Sequence, residues 1–343
     1  MALSGVFDYS VLASDVITAA FEDIQVAQPG ETIPTADQTV ALRTLNLLTK
    51  EWMGKPGFAP GLKRWSRNFV YMFMRLNKNI YVFGQTAQTT DKAALNGYSS
   101  SLTAATANAS QSVLTMEAVA NIKTWPTGVA GGTISNGDII GVILSTGDFQ
   151  WTTLASGAGT ASLTLTATLT ASVASGAQVF AYPAASFVDL PLDFLTCKRR
   201  DINGIDYDMD KMFDMYDYES ITNKNITSTP NSWFYEKKRV TGNLYLNCFP
   251  TTLTDVIRAC VLYPLDDQSA VSNDLAFPQQ WYTALEWGLA MKLCPKYGKS
   301  WTENMQNNLS EAMLSASAVD PEVVYQHFEP NRDHDMKGSL IRG

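Results

Sequence analysis

Ser66-Arg67-Asn68-Phe69-Val70-Tyr71-Met72-Phe73-Met74 is the stretch at which the chain changes from a helical to an extended period. Phe69, Tyr71 and Phe73 alternate with Val70, Met72 and Met74, so an extended backbone here presents apolar side chains on both faces. Asn77-Lys78-Asn79 has the composition of a turn, and Ile80-Tyr81-Val82-Phe83 follows, ending at Gly84. The pattern predicts a β-hairpin with aromatic residues on both faces.

Upstream the period is that of helices. Ser14 is placed to cap a helix running to about Val26, with Val16, Ile17, Ala20, Phe21 and Ile24 on one face, and Gln28-Pro29-Gly30 breaks it. Thr35 and Gln38 have the spacing of a capping box, in which each side chain satisfies an orphan amide. The second helix carries Val40, Leu42, Leu45, Leu48 and Trp52 and stops at Gly54 and Pro56, giving a helical hairpin.

Downstream the composition shifts. From about Thr86 to Tyr182 the chain is dominated by Thr, Ala, Ser and Gly. Leu163, Leu165, Leu169 and Val173 alternate with small polar residues. Ser112 to Met116, Asp138 to Leu144, Gln150 to Leu154 and Gln178 to Ala181 are further strand candidates, with turns at Asn136-Gly137 and Thr146-Gly147-Asp148. About five or six short strands at that spacing predict a small β-sandwich or barrel-like module. The regular placement of Val, Ile and Leu, with Trp125 and Trp151, argues against a disordered linker.

A mixed pattern then returns. Leu190-Pro191-Leu192-Asp193-Phe194 leads into a polar stretch, followed by strands near Trp233 to Arg239, Gly242 to Cys248 and Thr254 to Tyr263. Pro278 opens an amphipathic helix with Trp281, Leu285 and Leu289 one turn apart, and Ala284 and Gly288 permit a close helix crossing. Pro295 and Gly298 end it, and a last helix runs from Thr302 to about Ser317. The fold class that follows is α+β: a helical bundle packed on a small β-layer. Residues 1–85 and 183–317 form a discontinuous core, 86–182 an inserted all-β module, and 318–343 an extended C-terminal arm.

Composition narrows the function. Of 343 residues, 45% are hydrophobic and only 17% charged, so Thr, Ser, Asn and Gly must cover much of the surface, as on proteins that bury large areas against neighbours. The net charge is −8, and no basic run exceeds Lys198-Arg199-Arg200 or Lys237-Lys238-Arg239, which is not the footprint of a sequence-independent DNA binder. Cys197, Cys248, Cys260 and Cys294 form no CxxC pair. They read as buried thiols of a protein folded in a reducing cytoplasm, with disulfides as the alternative. The N-terminus lacks the cationic region of a signal peptide, and the apolar runs are too short to span a bilayer.

Catalytic patterns are sparse. His327 and His334 are the two histidines, and both fall in the arm, so a histidine triad or metal site within the core is not expected. Asp201, Asp206, Asp208, Asp210 and Asp214 resemble a cation site at first sight. The span Asp206 to Asp217, however, has Lys211 where a calcium loop needs glycine and Asp217 where it needs Glu. Glu51, Glu286 and Glu311 lie in helices, and sequence alone does not place them relative to each other for glycoside cleavage. The aromatics of Ser66 to Phe83 lack the interleaved cations of a base-stacking sheet beyond Arg67, Arg75 and Lys78. The residues point to a non-enzymatic protein with no cofactor.

The order of motifs resembles a known family. It runs Thr35-Ala36-Asp37-Gln38, Leu42-x-x-Leu45-Asn46, Leu190-Pro191-x-x-Phe194, Thr229-Pro230-x-x-x-x-Tyr235, Gly242-x-Leu244-Tyr245-Leu246-x-x-x-Pro250 and Tyr263-Pro264-Leu265-Asp266-Asp267. It closes with Phe277-Pro278-x-x-Trp281-x-x-Ala284-Leu285, continuing through Leu293-Cys294-Pro295-x-Tyr297-Gly298. This run is similar to the head-to-tail adaptor proteins of short-tailed bacteriophages, also called tail accessory or head-completion proteins, over roughly residues 10 to 85 and 186 to 317. The insertion around Asp138 to Thr153, with Gly147-Asp148-Phe149-Gln150-Trp151-Thr152-Thr153, is similar to an inserted β-module of some members.

The resemblance implies a virion protein of the head–tail junction, assembled in the host cytoplasm as a ring of about twelve copies below the portal. The ring would extend the DNA channel, retain the packaged genome, and let double-stranded DNA pass without sequence-specific binding. Its lower face would meet the tail tube, nozzle or fibre proteins, and no membrane is involved. The arm would reach the portal, with Tyr325, His327, Phe328 and Pro330 as the contact residues. Two other readings stand beside it: a tail-associated cell-wall hydrolase, and a receptor-binding or decorating tail protein.

Overall fold

The computed structural model describes residues 10–54, 66–84, 91–117, 123–125, 134–184, 188, 190–265, 267–275 and 277–319. The protein is mixed α and β, with more strands than helices. It divides into two compact units, residues 1–65 with 266–343 and residues 66–265. This division puts the four longer helices in the first unit and the sheets, with one short helix, in the second. The sequence pattern instead places boundaries at the edges of the Thr/Ser-rich stretch.

In the first unit α1 (Ala13–Asp23) buries Val16, Ile17, Ala20 and Phe21, the expected face. Its start differs from the sequence reading. The Leu12 N–H donates to the Asp15 carboxylate at 3.2 Å, so Asp15 reaches back to cap the helix. The Ser14 hydroxyl contacts Asp15 instead. The helix also stops at Asp23, before Gln28-Pro29-Gly30, because Gln25 turns left-handed with φ 56°.

The second helix, α2 (Thr35–Gly54), also begins differently. Gln38 donates its side-chain amide to the Ile33 carbonyl at 3.0 Å rather than completing a capping box with Thr35. Its buried stripe is Ala41, Leu45, Leu48 and Trp52, and Val40 lies exposed.

After Pro278 one tight turn (Gln279–Trp281) leads into α3 (Tyr282–Leu293), and a second (Cys294–Tyr297) ends at Gly298, which is left-handed at φ 66°. Helix α4 (Glu303–Val319) completes the unit. Trp281, Ala284, Leu285, Leu289 and Leu293 are fully buried, so α3 is the central helix of this unit. Polar contacts fix the ends of the helices. The Tyr297 hydroxyl donates to Asp37 at 2.7 Å, and its ring meets Phe21 edge-on with centroids 5.1 Å apart. Asn46 exchanges two hydrogen bonds with the backbone of Gln268, at 2.9 and 3.0 Å.

The second unit is built from sheets. Strands β1 (Arg67–Phe73) and β2 (Ile80–Phe83) do not form the expected hairpin. They belong to different sheets, because both edges of β1 are taken by other strands. One edge pairs with β18 (Val256–Leu262) and the other with β3 (Ala93–Leu95), in a five-stranded sheet that also holds β11 (Asp193–Arg200) and β12 (Asp206–Asp208). Strand β2 pairs instead with β16 (Gly242–Leu246), in a four-stranded sheet with β13 (Asp210–Lys211) and β15 (Ser232–Lys237). A two-stranded ladder joins β14 (Thr227–Ser228) to β17 (Phe249–Pro250). The double-sided apolarity of β1 is that of an interior strand covered on both faces. Val70, Met72 and Met74 pack with Phe83, Phe194, Trp233 and Leu244, while Tyr71 and Phe73 face the other way.

The Thr/Ser-rich stretch folds as expected into short strands. These are β4 (Tyr98–Leu102), β5 (Val113–Thr115), β6 (Lys123–Trp125), β7 (Ile139–Ile143), β8 (Phe149–Ser156), β9 (Ser162–Leu165) and β10 (Gln178–Tyr182). They form one sheet in the order β5-β9-β8-β7-β10-β4-β6. The ladder does not close into a barrel. Beyond β4, however, Thr103 bridges Met116, and the Ala104 N–H donates to the Thr115 carbonyl at 2.8 Å, so the sheet curls until β4 and β5 meet. Inside the curl lies a separate core that includes Leu114, Ile140, Val142, Leu154, Leu163, Leu165 and Val179.

Phe73 fastens this module to β1. Its ring lies 5.0 Å from both Trp151 and Phe180, 5.5 Å from Tyr98 and 5.7 Å from Tyr182. Arg75 adds a two-pronged bond to Asp148 at 2.9 and 3.3 Å.

Candidate assembly surfaces

The Asp-rich segment after β12 forms a braced turn rather than a cation site. The Met212 N–H donates to the Trp233 carbonyl at 2.9 Å, and the Trp233 indole donates to the Met209 carbonyl at 3.2 Å, which fixes the chain against β15. The short helix α5 (Met215–Ser220) follows; in chain order it lies between β13 and β14. Asp214 accepts from the Asp217 N–H at 3.0 Å, and Asp217 accepts from the Phe213 N–H at 2.9 Å. These are reciprocal caps that hold both ends of the turn. Tyr218 is buried against Tyr245, with centroids 4.7 Å apart. With Tyr218 turned inward, Phe213 and Tyr216 stand out at 95% and 84% exposure, with Asp210, Asp214, Asp217 and Glu219 beside them in sequence.

The other acidic and basic residues of the sequence reading neutralise one another. Lys198 pairs with Asp208 at 2.8 Å, Arg199 with Asp255 at 2.5 Å, and Arg200 with Asp206 at 2.6 Å. Arg258 adds a contact to Asp206 at 3.2 Å. Burial opposes ionisation of Asp206, but the Arg200 hydrogen bond and the neighbouring cations outweigh it and hold the carboxyl below its usual range. Asp201 accepts from the Asn203 and Ile205 amides, each at 2.9 Å. Among the described residues no group of His, Cys, Asp or Glu is arranged to hold a metal ion.

The second basic run forms the tip of the β15–β16 hairpin. Lys237 pairs with Gly242, the Lys238 N–H donates to the Thr241 carbonyl at 2.8 Å, and Lys237, Lys238, Arg239 and Val240 are all exposed. Lys238 reaches back to Glu236 at 3.2 Å. A hydrogen bond from Tyr245 and then Lys238 hold the Glu236 carboxyl low.

The helical carboxylates do not converge. Glu51 pairs with Lys292 at 2.7 Å, and Glu311 is exposed. Glu286 lies close enough to Asp23 of α1 for their charges to act on each other. Burial first, and then the Asp23 and Glu22 charges, push the Glu286 carboxyl up to about 7; burial also raises Asp23.

A groove of about 280 Å³ on the helical unit is lined by Trp52, Met291, Leu309 and Met313, with Glu51, Lys292, Gln306 and Ser310 around it.

The closing-helix residues gather in the helical core. Phe277, Trp281 and Leu285 are buried, Pro278 accepts the first turn's bond from the Trp281 N–H, and Tyr297 and Gly298 form the helix end. Cys197, Cys248 and Cys294 are buried, Cys260 is half-buried, and no disulfide joins any of the four. Burial pushes the Cys197 thiol well above its ordinary range. Tyr325, His327, Phe328 and Pro330 lie outside the described residues. Among the described residues no helix is long and apolar enough to cross a membrane.

No family model and no curated protein matches this chain. Among solved structures it has a similarity to VP17, a capsid protein of bacteriophage P23-77, at 8% identity, covering 60% of this chain and 77% of that one. The TM-score is 0.13, too low for the likeness to carry an argument.

Phe213 and Tyr216 do not stand out in the sequence, where this segment reads as part of a polar stretch. The Asp214-x-x-Asp217 spacing was the available signal, because a reciprocal cap fixes which neighbouring side chains turn outward.

Proposed function

We propose that the chain is a non-enzymatic structural protein of a bacteriophage particle, acting as the adaptor between head and tail. In this reading copies form a ring of about twelve below the portal. The ring extends the channel for double-stranded DNA, retains the packaged genome and presents its lower face to tail proteins. The observation that carries the reading is the exposure of Phe213 and Tyr216 on a hydrogen-bonded turn. Large exposed aromatics are residues from which protein contacts draw much of their energy.

The run of motifs from Thr35 to Gly298, which resembles the adaptor family, supports the same reading. So does the internal pairing of the carboxylates and cations that an enzyme or a DNA-gripping protein would leave free. Polar Thr and Asn surfaces and an arm that binds the portal suit subunits that stay soluble alone and assemble on a template. Mixing the purified chain with its portal, with and without residues 321–343, tests the proposal. A complex that depends on the arm supports it, and a chain that never binds the portal overturns it.

A further inference from the structure

We infer that the Phe213–Tyr216 turn of one copy docks on the Lys237–Val240 hairpin tip of the next, a head-to-tail contact that builds the ring. The inference rests on the ring reading and names the two surfaces that would make it.

The surfaces are complementary in charge and alike in carrying exposed apolar groups. Phe213 just before the cap and Tyr216 in the first turn of α5 are both exposed, with Asp210, Asp214, Asp217 and Glu219 exposed beside them in sequence. Val240, itself 67% exposed, follows Lys237, Lys238 and Arg239. Among the described residues no ion pair joins the two surfaces within one chain, since Lys238 pairs with Glu236 and Glu219 with Lys224. Both are mounted on β15 and are held by backbone bonds, so neither must order on binding. Asp210 sits opposite Ser232 at the start of that strand, and the tip follows Lys237 at its end, five residues or roughly 16 Å along.

Surfaces of opposite character at different places on one chain pair with each other. A reciprocal pairing about a two-fold axis closes a dimer, whereas the same contact made in one direction, as the ring reading requires, repeats from copy to copy. Such repetition closes a ring when the rotation allows it. Aromatic side chains in the contact would supply affinity, and the charges would set orientation and speed of encounter.

The test uses the full chain carrying one added cysteine, Phe213→Cys or Val240→Cys. With the portal present, a mixture of the two under mild oxidation is expected to give disulfide-linked dimers at several times the yield of either variant alone, with wild type as the control for native thiols. Raised salt should lower that yield severalfold. Adding Lys238→Glu and Arg239→Glu to the Val240→Cys chain should abolish the excess, and adding them to the Phe213→Cys chain should not. A yield from the mixture no greater than from each variant alone overturns the inference. Portal binding by Phe213→Ser/Tyr216→Ser is measured alongside. Retained portal binding with no trapping rejects this contact and keeps the adaptor reading, whereas trapping by chains that never bind the portal rejects the adaptor reading and keeps the contact.

Discussion

Gly288 of α3 lies against the indole of Trp52 of α2: a Cβ at position 288 would come within 2.8 Å of the Trp52 ring and 3.1 Å of Leu48 Cδ2. The same indole packs against Trp281, with centroids 6.2 Å apart. The small residue is therefore what allows α2 and α3 to approach.

Gly288→Ala sets two effects against each other. Alanine favours a helix over glycine by about 1 kcal/mol. Overpacking a filled core costs about 1–3 kcal/mol. The contact distance says the second wins, so the thermal midpoint should fall. A rise would mean that Trp52 moves aside freely.

The Asp23–Glu286 pair makes stability depend on pH. Burial and the adjacent carboxylates raise Glu286 from 4.5 to about 7, so the folded protein holds a proton that the unfolded chain releases. A raised acid contributes stability that is fully present below 4.5 and lost as pH rises through about 7. The wild-type melting temperature should therefore fall across neutral pH. Glu286→Gln should be flatter there and more stable on the alkaline side. Identical pH profiles would remove the pair from the account.

Asp148 has the opposite sign. Burial disfavours its charge, but hydrogen bonds from Arg75 and the Phe149 amide outweigh burial and hold its carboxyl below 3.8. Its contribution is present above 3.8 and lost as pH falls through the lower folded value. Both side chains are at least one-third exposed, so Asp148→Asn should cost no more than about 1 kcal/mol near neutral pH, and less in acid. Urea titration at the two pH values checks this.

Phe73→Ala should be far more damaging. It empties the centre of a cluster shared by β1 and the inserted module, and truncation of such a ring costs about 3–5 kcal/mol. Denaturation should show the module and the five-stranded sheet weakening together. An unchanged midpoint for the sheet would mean the seam holds little. Deleting residues 86–182 outright would bare Tyr71 and Phe73, so a deletion that leaves these aromatics unchanged should aggregate.

Much of this architecture was legible in the residues, because local patterns wrote it. Pro278 and Gly298 bound the central helix, Asn136-Gly137 and Gly147 mark turns, and Leu163 and Leu165 alternate inward as period two requires. What failed depended on distant partners. The apolar faces of β1 read equally as a hairpin arm or an interior strand, and only β18, almost 190 residues away in the chain, decides between them. Strand β11 was hidden as a polar stretch because Lys198, Arg199 and Arg200 meet their carboxylates at Asp208, Asp255 and Asp206 only once folded. The Asp23–Glu286 pair and the outward aromatics Phe213 and Tyr216 were likewise invisible, since each follows from how one helix settles on another element.

The central claim is that this chain bridges head and tail. The most direct measurement is to mix the full chain with its cognate portal, count bound copies by native mass measurement or electron microscopy, and repeat without residues 321–343. The account predicts a closed ring of about twelve copies that forms on the portal and is lost with the arm. A chain that leaves the portal bare, or a ring that forms spontaneously from purified protein alone, would contradict it.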